Sequence, residues 1–133
     1  MHIFKTINYV REALLPHVFF EVGCHSGRTF SATINVANLS QLDLTAVAFD
    51  SFQGLPNTKI NDNQIIKGFY NESLNDDLKG KLPRHVGMVH IDVDLYSSTC
   101  SALEFIKDYI VEGAVILFDD WHFFPPGEEK GIE

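Results

Sequence analysis

Apolar residues come in short runs that alternate with helical periodicities along this chain. In "FKTINYVREALL" (4–15), Phe4, Ile7, Val10 and Leu14 fall near helical spacing, and Pro16 ends the segment. "HVFFEVG" (17–23) is a Val- and Phe-rich run closed by Gly, which predicts a buried strand. "SGRTFSATINVANLS" (26–40) predicts a helix opening on Ser26, and "DLTAVAFD" (43–50) a second strand. The stretch 51–63 is polar and turn-rich. "QIIKGFY" (64–70) predicts a short third strand. Residues 71–83 predict one or two helical turns, capped by Asn71 and closed by Gly80 and Pro83. "HVGMVHIDVD" (85–94) predicts a fourth strand, and "SSTCSALEFIKDYI" (97–110) a helix with Leu103, Phe105, Ile106, Tyr109 and Ile110 inward and Gly113 as its stop. "AVILFDD" (114–120) predicts a fifth strand, followed by an irregular tail.

Nearly all-apolar strands alternating with helices describe an α/β fold with a parallel sheet covered on both faces. Ligands of such sheets lie beyond the carboxyl ends of the strands. The polar residues of this chain concentrate there: Glu21 and Gly23, Asp50 and Ser51, Gly68, Asp92 and Asp94, Asp119 and Asp120.

Each strand end suggests its own chemistry. "EVGCHSGRT" (21–29) places Gly23 and Gly27 around a strand-to-helix turn, where glycine lets a ligand approach the backbone. Position 25 is His, so GxGxxG is broken, and the Gly-Lys-Ser/Thr of a phosphate loop is missing. Glu21 would repel a pyrophosphate but accept from an ammonium or a hydroxyl. Asp50, one βα unit later, suits two ribose hydroxyls, or else caps the loop after it. Together these favour a nucleoside ligand. Asp92 and Asp94 share a face in an extended strand, while Asp119 and Asp120 are adjacent. Converging carboxylates cannot all stay ionised without a cation, and hard oxygens favour Mg²⁺; any one of them also serves as a cap. His122 is a candidate base or substrate contact, or else a satisfied structural histidine. His90, on the face of Asp92 but deeper, is a satisfied structural histidine.

Composition narrows the field. The 133 residues suffice for one domain, and 45% are hydrophobic. Ten basic against 18 acidic residues give a net charge of −8, which argues against nucleic acid or an anionic membrane surface as partner. Cys24 and Cys100 form no CxxC or zinc pattern, which fits a reducing, cytoplasmic setting, and neither a membrane span nor a signal peptide is visible.

"FFEVGCHSGRTF", "AVAFDSFQGLP", "IIKGFYNESL", "HIDVDLYSST" and "VILFDDW" occur in the order seen in class I S-adenosylmethionine-dependent methyltransferases. The chain most resembles the macrocin O-methyltransferase family, whose members methylate sugar hydroxyls. The resemblance covers most of residues 15–122. DSFxGLP together with DxDLYxST is its specific part; ExGxxxG alone is not.

The resemblance implies a Rossmann-like, doubly wound, mostly parallel sheet of about five strands in the order 3-2-1-4-5. It implies that Glu21, Gly23, Ser26 and Gly27 line the methionine end of S-adenosylmethionine. Asp50 and Ser51 would meet the ribose, and Gly68 and Phe69 the adenine. Asp92, Asp119 and Asp120 would hold Mg²⁺ or a similar divalent cation. Asp94, beside Asp92, would be the catalytic base for a small-molecule hydroxyl acceptor. Residues 1–133 are expected to form a single domain, shortened relative to the family: a fragment, a short form or a deletion. The link "GLPNTKINDNQ" is brief, and the usual C-terminal antiparallel strand pair is lacking, which leaves an exposed sheet edge for pairing with a second copy. Three rivals stand beside this reading. A metal-independent methyltransferase would be insensitive to chelators. A non-catalytic cofactor-binding or interaction domain would bind without turnover. A dehydrogenase would bind a nicotinamide cofactor.

Overall fold

The computed structural model describes residues 3–50, 64–67 and 76–119. Nine elements alternate along them: α1 (Ile3–Glu12), β1 (Val18–Val22), α2 (Arg28–Leu39), β2 (Thr45–Asp50), β3 (Gln64–Lys67), α3 (Asp76–Lys79), β4 (Val86–Ile91), α4 (Tyr96–Ile106) and β5 (Ile110–Phe118). The five strands form one parallel sheet in the order β3-β2-β1-β4-β5. This is the Rossmann-like, doubly wound arrangement expected, with β1 at its centre.

Strand alternation divides the core in two. Phe20, Val22, Val47, Phe49, Val89 and Ile91 face α4, where Ala102, Phe105 and Ile106 meet them. Phe20, Phe49, Phe105 and Tyr109 form a chain of ring contacts with centroids 5.2 to 6.0 Å apart. On the other face Phe19, Ala46, Ala48 and Met88 pack against Ile7 and Val10 of α1 and Phe30, Ile34 and Ala37 of α2. The small alanines of β2 allow those helices to sit close.

Several expected boundaries move. In α1 the buried stripe is Ile3, Thr6, Ile7 and Val10, whereas Phe4 is exposed. The helix ends at Glu12, and Leu14 is exposed with a left-handed φ of 54°. Helix α2 opens on Gly27 (φ 73°) and not on Ser26, which makes no cap. Strand β4 stops at Ile91, so the strand-face pairing expected for Asp92 and Asp94 is not regular β geometry. Val93 still turns into the α4-side core, leaving Asp92 half-buried and Asp94 exposed.

The largest shift is at Gly113. It does not stop a helix: α4 ends at Ile106 and β5 begins at Ile110. The register jumps from Val86↔Ile110 to Met88↔Val115, and Gly113 sits inside the irregularity at φ 82°. A bulge of this kind needs a residue that tolerates positive φ, so the glycine marks a strand defect.

Residues 51–63 make the β2–β3 crossover and meet the roughly dozen-residue minimum for a parallel connection. Their own structure, the expected strand positions 68–70, the cap Asn71 and the tail from 120 lie outside the described residues. Among the described residues no helix is long and apolar enough to cross a membrane.

Candidate cofactor and acceptor site

The carboxyl ends of β1, β2, β4 and β5 lie side by side, and the backbone ties them together. Gly23 N–H donates to Phe49 O (2.9 Å), Asp92 N–H to Val22 O (2.8 Å) and Asp119 N–H to Ile91 O (3.1 Å). Hence Gly23, Asp50, Asp92 and Asp119 leave their strands at one level of the sheet.

Gly23 is required by packing of the chain on itself. Its φ is 86°, and a Cβ there would lie 1.9 Å from the carbonyl oxygen of Asp92. The sequence suggested that this glycine makes room for a ligand; the close approach seen in the chain itself is that of the Asp92 carbonyl, just past β4. Gly27 N–H donates to Cys24 O (2.6 Å), closing a tight turn, and Ser31 N–H donates to Gly27 O (2.9 Å).

Asp50 acts on this turn. Its Oδ2 accepts the backbone N–H groups of Cys24 and His25, each at 2.7 Å. The carboxylate at the end of β2 therefore fixes the glycine turn at the end of β1. The sequence suggested a ribose contact or a cap on the following loop, and neither reading included this clamp. A carboxylate offers about four acceptor sites, and two of those of Asp50 hold the turn.

Glu21 is fully buried, and its register partner on β4 is His90. His90 Nδ1 stands 2.9 Å from Glu21 Oε1, while its Nε2 lies 3.8 Å from Asp119 Oδ1. Glu21 Oε2 has no hydrogen-bond partner among the described residues. Burial pushes the imidazole pKa down, but the hydrogen bond to Glu21 and the charges of Glu21, Asp92 and Asp119 outweigh it and hold His90 above its usual value. Cys24, beneath the turn, points its Sγ at Glu21 O (3.4 Å) and Phe49 O (3.8 Å). Burial first, then the charges of Glu21 and Asp50, push its thiol far up, so it stays protonated and inert.

The expected residues are thus partly assembled. Glu21, Gly23, Gly27 and Asp50 form one connected unit, and Asp92 and Asp119 end adjacent strands beside His90. Ser26 is exposed on the turn, and Asp94 is exposed just before α4. Ser51, Gly68, Phe69, Asp120 and His122 lie outside the described residues. Among the described residues no group of three or more His, Cys, Asp or Glu side chains is arranged to hold a metal. Asp92 and Asp119 are hard oxygen donors that suit a divalent cation, and a complete set would draw on Asp120 as well.

A five-stranded parallel sheet in the order 3-2-1-4-5, with a glycine turn after β1 clamped by the acid that ends β2, defines a Rossmann-like domain. The profile of the methyltransferase domain family matches residues 20–121, and the chain belongs to that family. The comparison with curated proteins gives no match. Among solved structures, it is similar to CalS11, described as a calicheamicin methyltransferase (TM-score 0.69, 16% identity, 90% of this chain and 64% of that one). The apo form of CalS11, a TDP-rhamnose 3'-O-methyltransferase, is similar to the same degree (TM-score 0.68, 18% identity, 90% and 62%). CmcI follows (TM-score 0.64, 12% identity, 93% and 55%). At these identities the likeness shows the fold, and the chain spans less than two thirds of each of these structures.

Proposed function

We propose that the chain is an S-adenosylmethionine-dependent O-methyltransferase domain that acts, with help from a divalent cation, on a small-molecule hydroxyl of a sugar or glycosylated metabolite. The observation that carries this reading is the Asp50-clamped Gly23–Gly27 turn, set beside the acidic ends of β4 and β5. Similar structures lend support: CalS11 is a TDP-rhamnose methyltransferase, and one CmcI form is described with Mg and SAM (TM-score 0.59, 12% identity, 87% of this chain and 51% of that one).

When bound, the cofactor supplies a methyl group on a positively charged sulfonium, and the cation lowers the pKa of an acceptor hydroxyl. The chain's own residues supply the rest. Glu21 accepts from the methionine ammonium, with Gly23, Ser26 and Gly27 along that end. Asp50 and Ser51 meet the ribose, and Gly68 and Phe69 flank the adenine. Asp92, Asp119 and Asp120 hold the cation. Asp94, exposed at the rim, takes the proton from the hydroxyl. An acidic surround suits both positive charges, and a net charge of −8 disfavours polyanionic acceptors.

The test is methyl transfer from labelled S-adenosylmethionine to a panel of nucleotide sugars and glycosides, with and without chelator. Turnover that is lost with chelator, restored by Mg²⁺ and abolished by Asp94→Asn supports the proposal. Turnover indifferent to chelator would select a metal-independent enzyme of the same fold. Cofactor binding without turnover on any acceptor would select a non-catalytic domain.

A further inference from the structure

Glu21 and His90 face each other across the central strand pair, 0% and 2% exposed. A carboxylate so buried needs its lone pairs served. His90 Nδ1 serves Oε1 at 2.9 Å, while Oε2 has no partner among the described residues. The orphan oxygen belongs to Glu21 within β1, two residues before Gly23 and the glycine loop. The other nitrogen of the same ring lies 3.8 Å from Asp119 Oδ1, at the end of β5. One imidazole therefore stands between the acid next to the glycine loop and an acid of the proposed cation cluster.

We propose that His90 is a positioning residue for cofactor binding: by occupying Oε1 of Glu21, it orients Oε2 to accept the α-ammonium of the cofactor's methionine end. This rests on the methyltransferase reading and adds to it a residue that touches neither cofactor nor acceptor. Without the imidazole, the carboxylate would keep only the weak thiol donor of Cys24 as a side-chain partner, and selectivity for the amine would weaken.

The experiment compares S-adenosylhomocysteine with its analogue lacking the α-amino group, by calorimetric titration of the full chain. A charge-assisted hydrogen bond to a buried carboxylate predicts that the wild type prefers the amine by roughly tenfold or more. The preference should fall to about threefold or less in His90→Leu and return in His90→Asn, whose amide nitrogen occupies the place of Nδ1. An equal preference in wild type and His90→Leu overturns the proposal. Because His90→Leu strands a buried carboxylate and can fail to fold, the wild type is also followed by imidazole ¹⁵N spectroscopy. His90 resonances should shift with S-adenosylhomocysteine and much less with the deamino analogue; equal shifts overturn the proposal. A folded wild type that binds neither ligand refutes the methyltransferase reading itself. One that binds both equally refutes only the role given to Glu21 and His90.

Discussion

Asp50→Ala separates the ribose contact that the sequence suggested from the backbone clamp that it did not. If Asp50 only met the ribose, its removal would weaken cofactor binding and leave the unliganded fold untouched. The structure predicts a second effect, because Oδ2 accepts two backbone N–H groups at 2.7 Å. Hydrogen bonds to a charged acceptor contribute about 1.5–3 kcal/mol each when buried. The Cys24 bond is part-buried and the His25 bond exposed, so water replaces much of the second. The expected loss is about 2 kcal/mol. With an m-value of roughly 2 kcal/mol/M, the urea midpoint of the ligand-free chain should drop by about 1 M. Asp50→Asn keeps an acceptor and loses the charge, so about half that drop is expected. The assay is equilibrium urea unfolding followed by far-ultraviolet circular dichroism. If both variants unfold within about 0.5 kcal/mol of wild type, the clamp contributes nothing and the reasoning fails.

Gly23→Ala should be among the most damaging single substitutions, at about 3 kcal/mol or more, since the new Cβ meets a backbone oxygen at 1.9 Å with φ at 86°. Gly80→Ala, with nothing within 4 Å of its Cβ, should unfold like wild type in the same denaturation series. Of the two cysteines, Cys100 is exposed and Cys24 buried, so a thiol reagent at pH 8 should titrate one thiol in the native chain and two in urea; two fast native thiols would contradict the burial. The raised Cys24 pKa also has a sign. The folded chain keeps a proton that the unfolded chain releases above its ordinary value of 9.0, so this contribution is present below about pH 9 and is lost as pH rises. The slope is at most about 1.4 kcal/mol per pH unit. Cys24→Ala should flatten that alkaline limb in pH-dependent thermal melts.

Much of this architecture was legible because the strands are short apolar runs separated by helical periods, a pattern that permits few solutions. Phe19 and Phe20, adjacent in sequence, had to face opposite layers, and they do. The clustering of Glu21, Asp50, Asp92 and Asp119 at one edge follows from all strands being parallel. Less was visible where a residue's role depends on register. His90 was expected to be a satisfied core histidine, and it is satisfied, but its partner Glu21 lies 69 positions away. Asp50 could not be assigned to the backbone of Cys24 and His25 without knowing that β1 and β2 end level. Gly113 misled because a glycine after a helical period ordinarily signals a stop, whereas here the helix had already ended and the glycine eases a bulge. Phe4 and Leu14 misled through near-helical spacing alone: the stripe that α1 buries begins at Ile3.

The most direct test of the central claim is calorimetric titration of the purified chain with S-adenosylhomocysteine, with and without Mg²⁺. The account predicts saturable one-to-one binding that Asp50→Asn weakens. A folded chain that takes up no S-adenosylhomocysteine under either condition would contradict it, leaving the methyltransferase fold without the methyltransferase site.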